Sequence, residues 1–193
     1  AAALYHRYAS QTGDCQLMIV DFGGGTLDVS IVECFENIIE ITAIAGDNRL
    51  GGDDIDRAIA ARFCQENGLN EETLDRTFRA SLYRQVETAK IALSGAPAAA
   101  ISLQHGEQRY SMLLTNDLLR QLCGPVFQKV RAVITRAMKD RNRGGRLNDV
   151  ILVGGSAQLT VFVDFLESLF GRRPHVAASP DEIVALGVGL CAG

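Results

Sequence analysis

The chain has 193 residues, 47% of them hydrophobic and 22% charged, with 19 Lys and Arg against 23 Asp and Glu and a formal net charge of −4. This mix describes one large globular domain or two small ones, and it excludes a collagen, a coiled-coil rod and a disordered tail. A mildly acidic chain lacks the surplus cations a nucleic-acid binder needs to neutralise phosphates, and no apolar run is long enough to span a bilayer. Neither a nucleic acid nor a membrane is therefore expected as a partner.

The five cysteines, Cys15, Cys34, Cys64, Cys123 and Cys191, are odd in number, scattered and never spaced C-x-x-C. They read as small buried hydrophobes in a reducing cytoplasm rather than as disulfides or zinc ligands. No basic segment followed by an apolar core opens the chain, as a secretory signal would. The first residues read as an uncapped helix at 1–8 without an initiator Met, and the last ones stop abruptly within another helix. An excised piece of a longer protein is expected.

In chain order, residues 16–20 are an apolar strand that runs into the glycine turn Asp21-Phe22-Gly23-Gly24-Gly25-Thr26. Residues 27–34 alternate apolar and polar, which predicts a second strand with one buried face. Glu36-Asn37 turns the chain into a third strand over 38–45. At Gly51-Gly52 the period becomes helical, and Ile55, Ile59 and Phe63 predict a helix to about Asn67-Gly68. Asn70 opens a second helix that runs to Leu93, where Ser94-Gly95-Ala96-Pro97 ends it. Residues 99–104 and 108–113 form a hairpin around His105-Gly106. Thr115-Asn116-Asp117 caps a long helix to Arg141, kinked at Gly124-Pro125. Residues 149–153 are a buried strand ending in Gly154-Gly155. A helix over 158–170, a short strand over 173–176 and a last helix opened by Pro180-Asp181-Glu182 follow. The order is mixed α/β. Strands from both ends of the chain are expected to share one sheet over residues 1–50 and 123–193. Residues 51–122 are expected to form a smaller inserted subdomain of helices and a hairpin.

The octet from Asp21 to Asp28 carries the strongest chemical signal. Three glycines between two strands let backbone N–H groups approach and cradle phosphate oxygens. The flanking carboxylates Asp21 and Asp28 suit a hydrated Mg²⁺ and a positioned water, and Thr26 adds a hydroxyl. A plain hairpin is the competing reading for a single glycine pair. The turn is not a P-loop, since no G-x-x-x-x-G-K-[ST] is present, nor a dinucleotide fingerprint, because a strand rather than a helix follows it. Gly154-Gly155-Ser156 lies between a strand and a helix, where a helix N-terminus favours an anion. Gly51-Gly52-Asp53-Asp54 reads as a helix cap. Glu87, Lys90 and Ser94 share one helical stripe, although ion pairs at this spacing are usually surface features. The basic run Arg131, Arg136, Lys139, Arg141, Arg143 and Arg146 reads as a complement to a helix C-terminus closed by Gly144-Gly145.

The stretches IVDFGGGTLDVSIVE, AGDNRLGGDDID, VETAKIALSGA, DVILVGGSAQL and SPDEIVALGVGL occur in this order over almost the whole chain. Together they resemble the nucleotide-binding domain of the DnaK-type seventy-kilodalton heat-shock chaperones, in the actin-like ATPase superfamily. The wording FENIIEITAIAGDNRLGG is nearer the bacterial HscC-like branch. The resemblance implies the second lobe of an actin-like, ribonuclease H-like ATPase domain, with ATP or ADP and Mg²⁺ as cofactors. It implies that Asp21 orients the attacking water and, with Asp28, serves the metal through water. It implies that Gly23, Gly24, Gly25 and Thr26 hold phosphates. It places Glu87, Lys90 and Ser94 on one side of the adenosine, Gly154, Gly155 and Ser156 on the other, and Asp181 nearby. Where the family has an adenine-stacking Arg, this chain has Gln158, which lacks a guanidinium plane. Thr160 replaces a Pro.

Implied partners are the first lobe, a J-domain cochaperone, a nucleotide exchange factor and client polypeptides bound by a separate domain. Catalysis of phosphoryl transfer needs the nucleotide clamped from both sides, so this lobe alone is expected to turn over little. Two other readings stay open at this point: a partner-docking module whose angle nucleotide sets, and a lobe of another actin-like kinase.

Overall fold

The computed structural model describes residues 15–35, 38–141 and 147–177. The expected turn at Glu36-Asn37, the helices at 1–8 and 180–190, the terminator Gly144-Gly145, and Asp181 lie outside them.

β1 (Cys15–Phe22), β2 (Leu27–Phe35) and β3 (Ile38–Asp47) form the expected meander. β6 (Asp149–Val153) lies parallel to β1, and β7 (His175–Val176) lies parallel to β6. The five-stranded order is β3-β2-β1-β6-β7, so strands from both ends of the chain do share one sheet. The alternation of side chains decides its two faces. Met18, Val20, Phe22, Leu27, Val29 and Ile31 enter the main core, while Leu17, Val32, Ile151 and Val153 form a smaller cluster on the opposite face. A bulge between Ile31 and Val32 shifts the β2–β3 register.

α1 (Gly52–Glu66) buries Ile55, Asp56, Ile59, Ala60, Phe63 and Cys64, the stripe of an amphipathic helix. α2 (Arg76–Ala92) starts later than expected. Asn70 does cap a turn, accepting from the Glu72 N–H, but that turn is a short 3₁₀ segment (Glu71–Thr73). Leu74 is extended there and breaks the helical path, and the Asp75 carboxylate then caps α2 through the Thr77 and Phe78 N–H groups.

β4 (Ala98–His105) and β5 (Gln108–Thr115) form a separate two-stranded hairpin. Their Ile101, Met112 and Leu114 join the same core as the sheet. α3 (Asn116–Asp140) is capped by the Thr115 hydroxyl and is one helix with Pro125 inside it. α4 (Thr160–Phe170) stacks Phe162 on Phe22, ring centroids 4.5 Å apart, fixing the helix to the sheet. Two cations of the basic run serve the fold. Arg136 donates to the Gly46 carbonyl at 2.7 Å and Arg141 to Gln16 Oε1 at 3.2 Å. Among the described residues, no helix is long and apolar enough to cross a membrane.

Candidate functional site

The glycine turn links β1 to β2, and antiparallel pairing sets Asp21 directly opposite Asp28. Directly opposed residues share a face of the sheet. Asp21 also pairs with Val153 on β6, so the turn at Gly154 begins beside it. The Gly23 N–H donates to the Thr26 carbonyl at 3.0 Å, which closes the turn. Gly24, Gly25 and Thr26 are exposed, as a backbone that receives a ligand must be.

Gly154 has φ +94°, and a Cβ there would fall 2.4 Å from the Phe22 carbonyl oxygen and 2.8 Å from Asp21 Oδ1. Only glycine fits this crossing of the two turns. Gly155 faces open space. Ser156 is buried in a 3₁₀ turn over Ser156–Gln158, and α4 starts only at Thr160. The helix therefore begins after that turn rather than at residue 158, and its N-terminus does not adjoin the glycines directly. Gln158 is exposed.

The pair Gly51-Gly52 does more than cap α1. The Asp54 carboxylate accepts from the Gly51 N–H at 2.9 Å, as a capping residue should. In addition, the Gly52 N–H donates to the Gly23 carbonyl at 3.0 Å and the Asp53 N–H to the Gly24 carbonyl at 2.7 Å. A Cβ on Gly51 would sit 2.2 Å from the Gly24 oxygen, and one on Gly52 would sit 2.2 Å from Ser156 Oγ. The start of α1 is thus bonded to the glycine turn and packed against the Gly154 turn.

Lys90 is buried, in contrast to the surface ion pair its spacing from Glu87 suggests. It follows Val86 by one turn on the buried stripe of α2, while Glu87 and Ser94 are exposed. Its partner is Asp56 of α1, with Nζ to Oδ1 at 2.7 Å. Lys90 Nζ also donates to the Gly52 carbonyl at 3.4 Å. Burial pushes the Asp56 carboxyl above the usual range, against the pull of Lys90, and the negative charges of Glu87 and Asp53 add to the rise.

Beside this pair, Asp53, Asp56, Arg57, Tyr83, Arg84 and Glu87 line an open cleft of about 700 Å³ between α1 and α2. Burial and the hydrogen bond from its hydroxyl to Glu71 raise the Tyr83 phenol to about 12.

Asp56, Gly51 and Gly52 were not apparent as site residues from spacing alone. The available signal was a carboxylate at a core position, four residues before Ala60 and three before Ile59 on the buried stripe. Among the described residues, no group of three or more His, Cys, Asp and Glu side chains is placed to ligate a metal directly.

The model of the Hsp70 protein family matches residues 1–193. A curated relative, "Chaperone protein dnaK" from Thalassiosira pseudonana, is 34% identical over 188 residues, covering 92% of this chain and 31% of the relative. The chain therefore spans well under half of that relative's length. The mixed sheet flanked by helices agrees with the α/β, actin-like ATPase fold of that family. A match over its whole length, a relative at this identity and glycine turns brought together around Asp21 and Lys90 lead to one assignment: the chain belongs to the Hsp70 family.

Proposed function

We propose that this chain supplies one side of the nucleotide cleft of an ATP-driven chaperone of the DnaK type. The observation that carries the reading is the meeting of three glycine turns with a buried lysine. Gly23 and Gly24 bond to the start of α1, Gly154 crosses beside Asp21, and Lys90 reaches Gly52 from α2.

The residues present fit a magnesium nucleotide. The exposed glycine amides at 24 and 25 offer N–H donors to phosphate oxygens, and Gly23 keeps the turn closed through its bond to Thr26. Asp21 and Asp28 are two carboxylates on one face, too few to encage a metal and suited to one that keeps most of its waters. When bound, Mg-ATP would supply the reactive phosphoanhydride and a cation that neutralises its charge.

The chain's own residues then have distinct tasks. Asp21 accepts a hydrogen bond from the attacking water and orients it, and Asp28 holds water of the metal shell. Thr26 offers its hydroxyl to a phosphate. Gly154, Gly155 and Ser156 bound the adenosine on one side, with Glu87, Lys90 and Ser94 on the other. Asp181 serves the same pocket, and Gln158 meets the adenine as an amide rather than as a stacking cation. Residues 51–122 act as a smaller subdomain whose angle responds to nucleotide. The first lobe, a J-domain cochaperone, an exchange factor and client polypeptides are the partners, in a cytoplasmic protein near the HscC-like branch.

Calorimetric titration with Mg-ADP tests this reading. Saturable binding at about millimolar strength is expected for half a cleft, because one set of contacts must offset the full entropic cost of association. Lys90→Ala and Asp21→Asn should each weaken it. Absence of binding at several times that concentration, or binding indifferent to both variants, would contradict the reading. So would ATP turnover by this chain alone at the rate of an intact two-lobed domain.

A further inference from the structure

Two opposite charges sit where each helix should be apolar. On α1, Asp56 lies among Ile55, Ile59, Ala60 and Phe63; on α2, Lys90 lies one turn from Val86. Removing two charges from water costs more than their attraction usually returns, and an apolar pair of like volume would be at least as stable. Stability alone does not account for the pair.

Its placement does. α1 is bonded to the glycine turn by its first two N–H groups, from Gly52 to Gly23 and from Asp53 to Gly24. Asp56 stands one turn further along the same helix. Lys90 comes from a different helix and reaches α1 at two points, Asp56 Oδ1 at 2.7 Å and the Gly52 carbonyl at 3.4 Å. The ammonium is therefore referenced to the glycine turn through α1, rather than to the exposed Glu87 on its own helix.

We propose that Asp56 is a positioning residue, which holds the Lys90 ammonium in register with the Gly23–Gly25 turn so that both engage one nucleotide. This inference rests on the nucleotide reading above. Asp56 acts through Lys90 and touches no nucleotide itself.

The test is a double-mutant cycle in Mg-ADP affinity, with wild type, Asp56→Asn, Lys90→Met and the double variant each checked for a cooperative melt. Asp56→Asn should weaken binding about tenfold, Lys90→Met by at least as much, and the double variant no more than Lys90→Met alone. A merely structural role would weaken binding equally in either background. Additive losses, or wild-type affinity in a folded Asp56→Asn, would overturn the inference while leaving the nucleotide reading intact. Unchanged affinity in Lys90→Met, or no binding by wild type, would overturn the nucleotide reading and this inference with it. If Asp56→Asn does not melt cooperatively, Asp56→Glu replaces it. That variant keeps the charge but displaces the carboxylate by one methylene. It should bind about threefold more weakly at unchanged stability, and wild-type affinity would overturn the inference.

Discussion

Lys90 Nζ meets Asp56 Oδ1 at 2.7 Å between α2 and α1, with the two side chains only 8% and 11% exposed. Removing one member leaves the other buried and uncompensated. Asp56→Ala should therefore cost about 3 kcal/mol of unfolding free energy. Adding Lys90→Met should restore most of it, since the second charge is then gone as well. Urea melts of the single and double variants check this. Equal stability of Asp56→Ala and wild type would show that the pair is solvated.

Gly154 and Gly155 are neighbours with opposite requirements. Gly154 has φ +94° and no room for a Cβ, whereas Gly155 is helical at φ −64° and faces open space. Gly154→Ala should destabilise by about 3 kcal/mol or prevent folding, and Gly155→Ala should stay within about 0.5 kcal/mol of wild type. Thermal melts of the two variants provide the comparison, and similar losses in both would contradict the crossing of the turns.

Gly51→Ala tests the bond between α1 and the glycine turn. Its Cβ would meet the Gly24 carbonyl at 2.2 Å, so backbone must move. Loss of at least about 1 kcal/mol is expected, together with faster amide exchange at Gly52 and Asp53, whose N–H groups donate across the contact. Unchanged exchange at those amides would argue against the contact.

Cys123 is buried in α3, and burial pushes its thiol up to about 12, against the pull of Lys90; burial also raises Cys64. A thiol whose native pKa exceeds its unfolded value favours folding below about 9, and that contribution is lost as pH rises towards 12. At pH 8 both cysteines should resist alkylation in the native chain and react after denaturation. Mass spectrometry of the labelled peptides reads the sites. Rapid native labelling of Cys123 would contradict its burial.

Periodic pattern carried much of the fold. Alternation in Leu27, Val29 and Ile31 announced β2, and the glycine turn fixed the register that opposes Asp21 to Asp28. Ile55, Ile59 and Phe63 announced α1, and the hairpin and α3 followed their turn and cap residues. The errors occurred where competing local signals were close together. Asn70 and Asp75 are both good caps, and only the extended Leu74 between them decides which one starts the helix. The helix expected from Gln158 starts at Thr160, because Gln158 closes a short 3₁₀ turn and Leu159 is extended between the two.

The site was legible where it is local and obscure where it is made across space. The Asp21–Asp28 octet is one turn. The partner of Lys90 is on another helix, and sequence spacing offered Glu87 instead. The need for glycine at 51 and 52 comes from Gly24 and Ser156, which no local pattern around α1 reveals.

Amide NMR of the labelled chain during Mg-ADP addition decides whether these turns form one nucleotide site. Saturating shifts are expected at Gly23, Gly24, Gly25, Gly154 and Gly155 with one shared dissociation constant, and Lys90 should move alongside. Shifts confined to one turn, different constants for the two turns, or saturation at amides remote from all of them would contradict a single site.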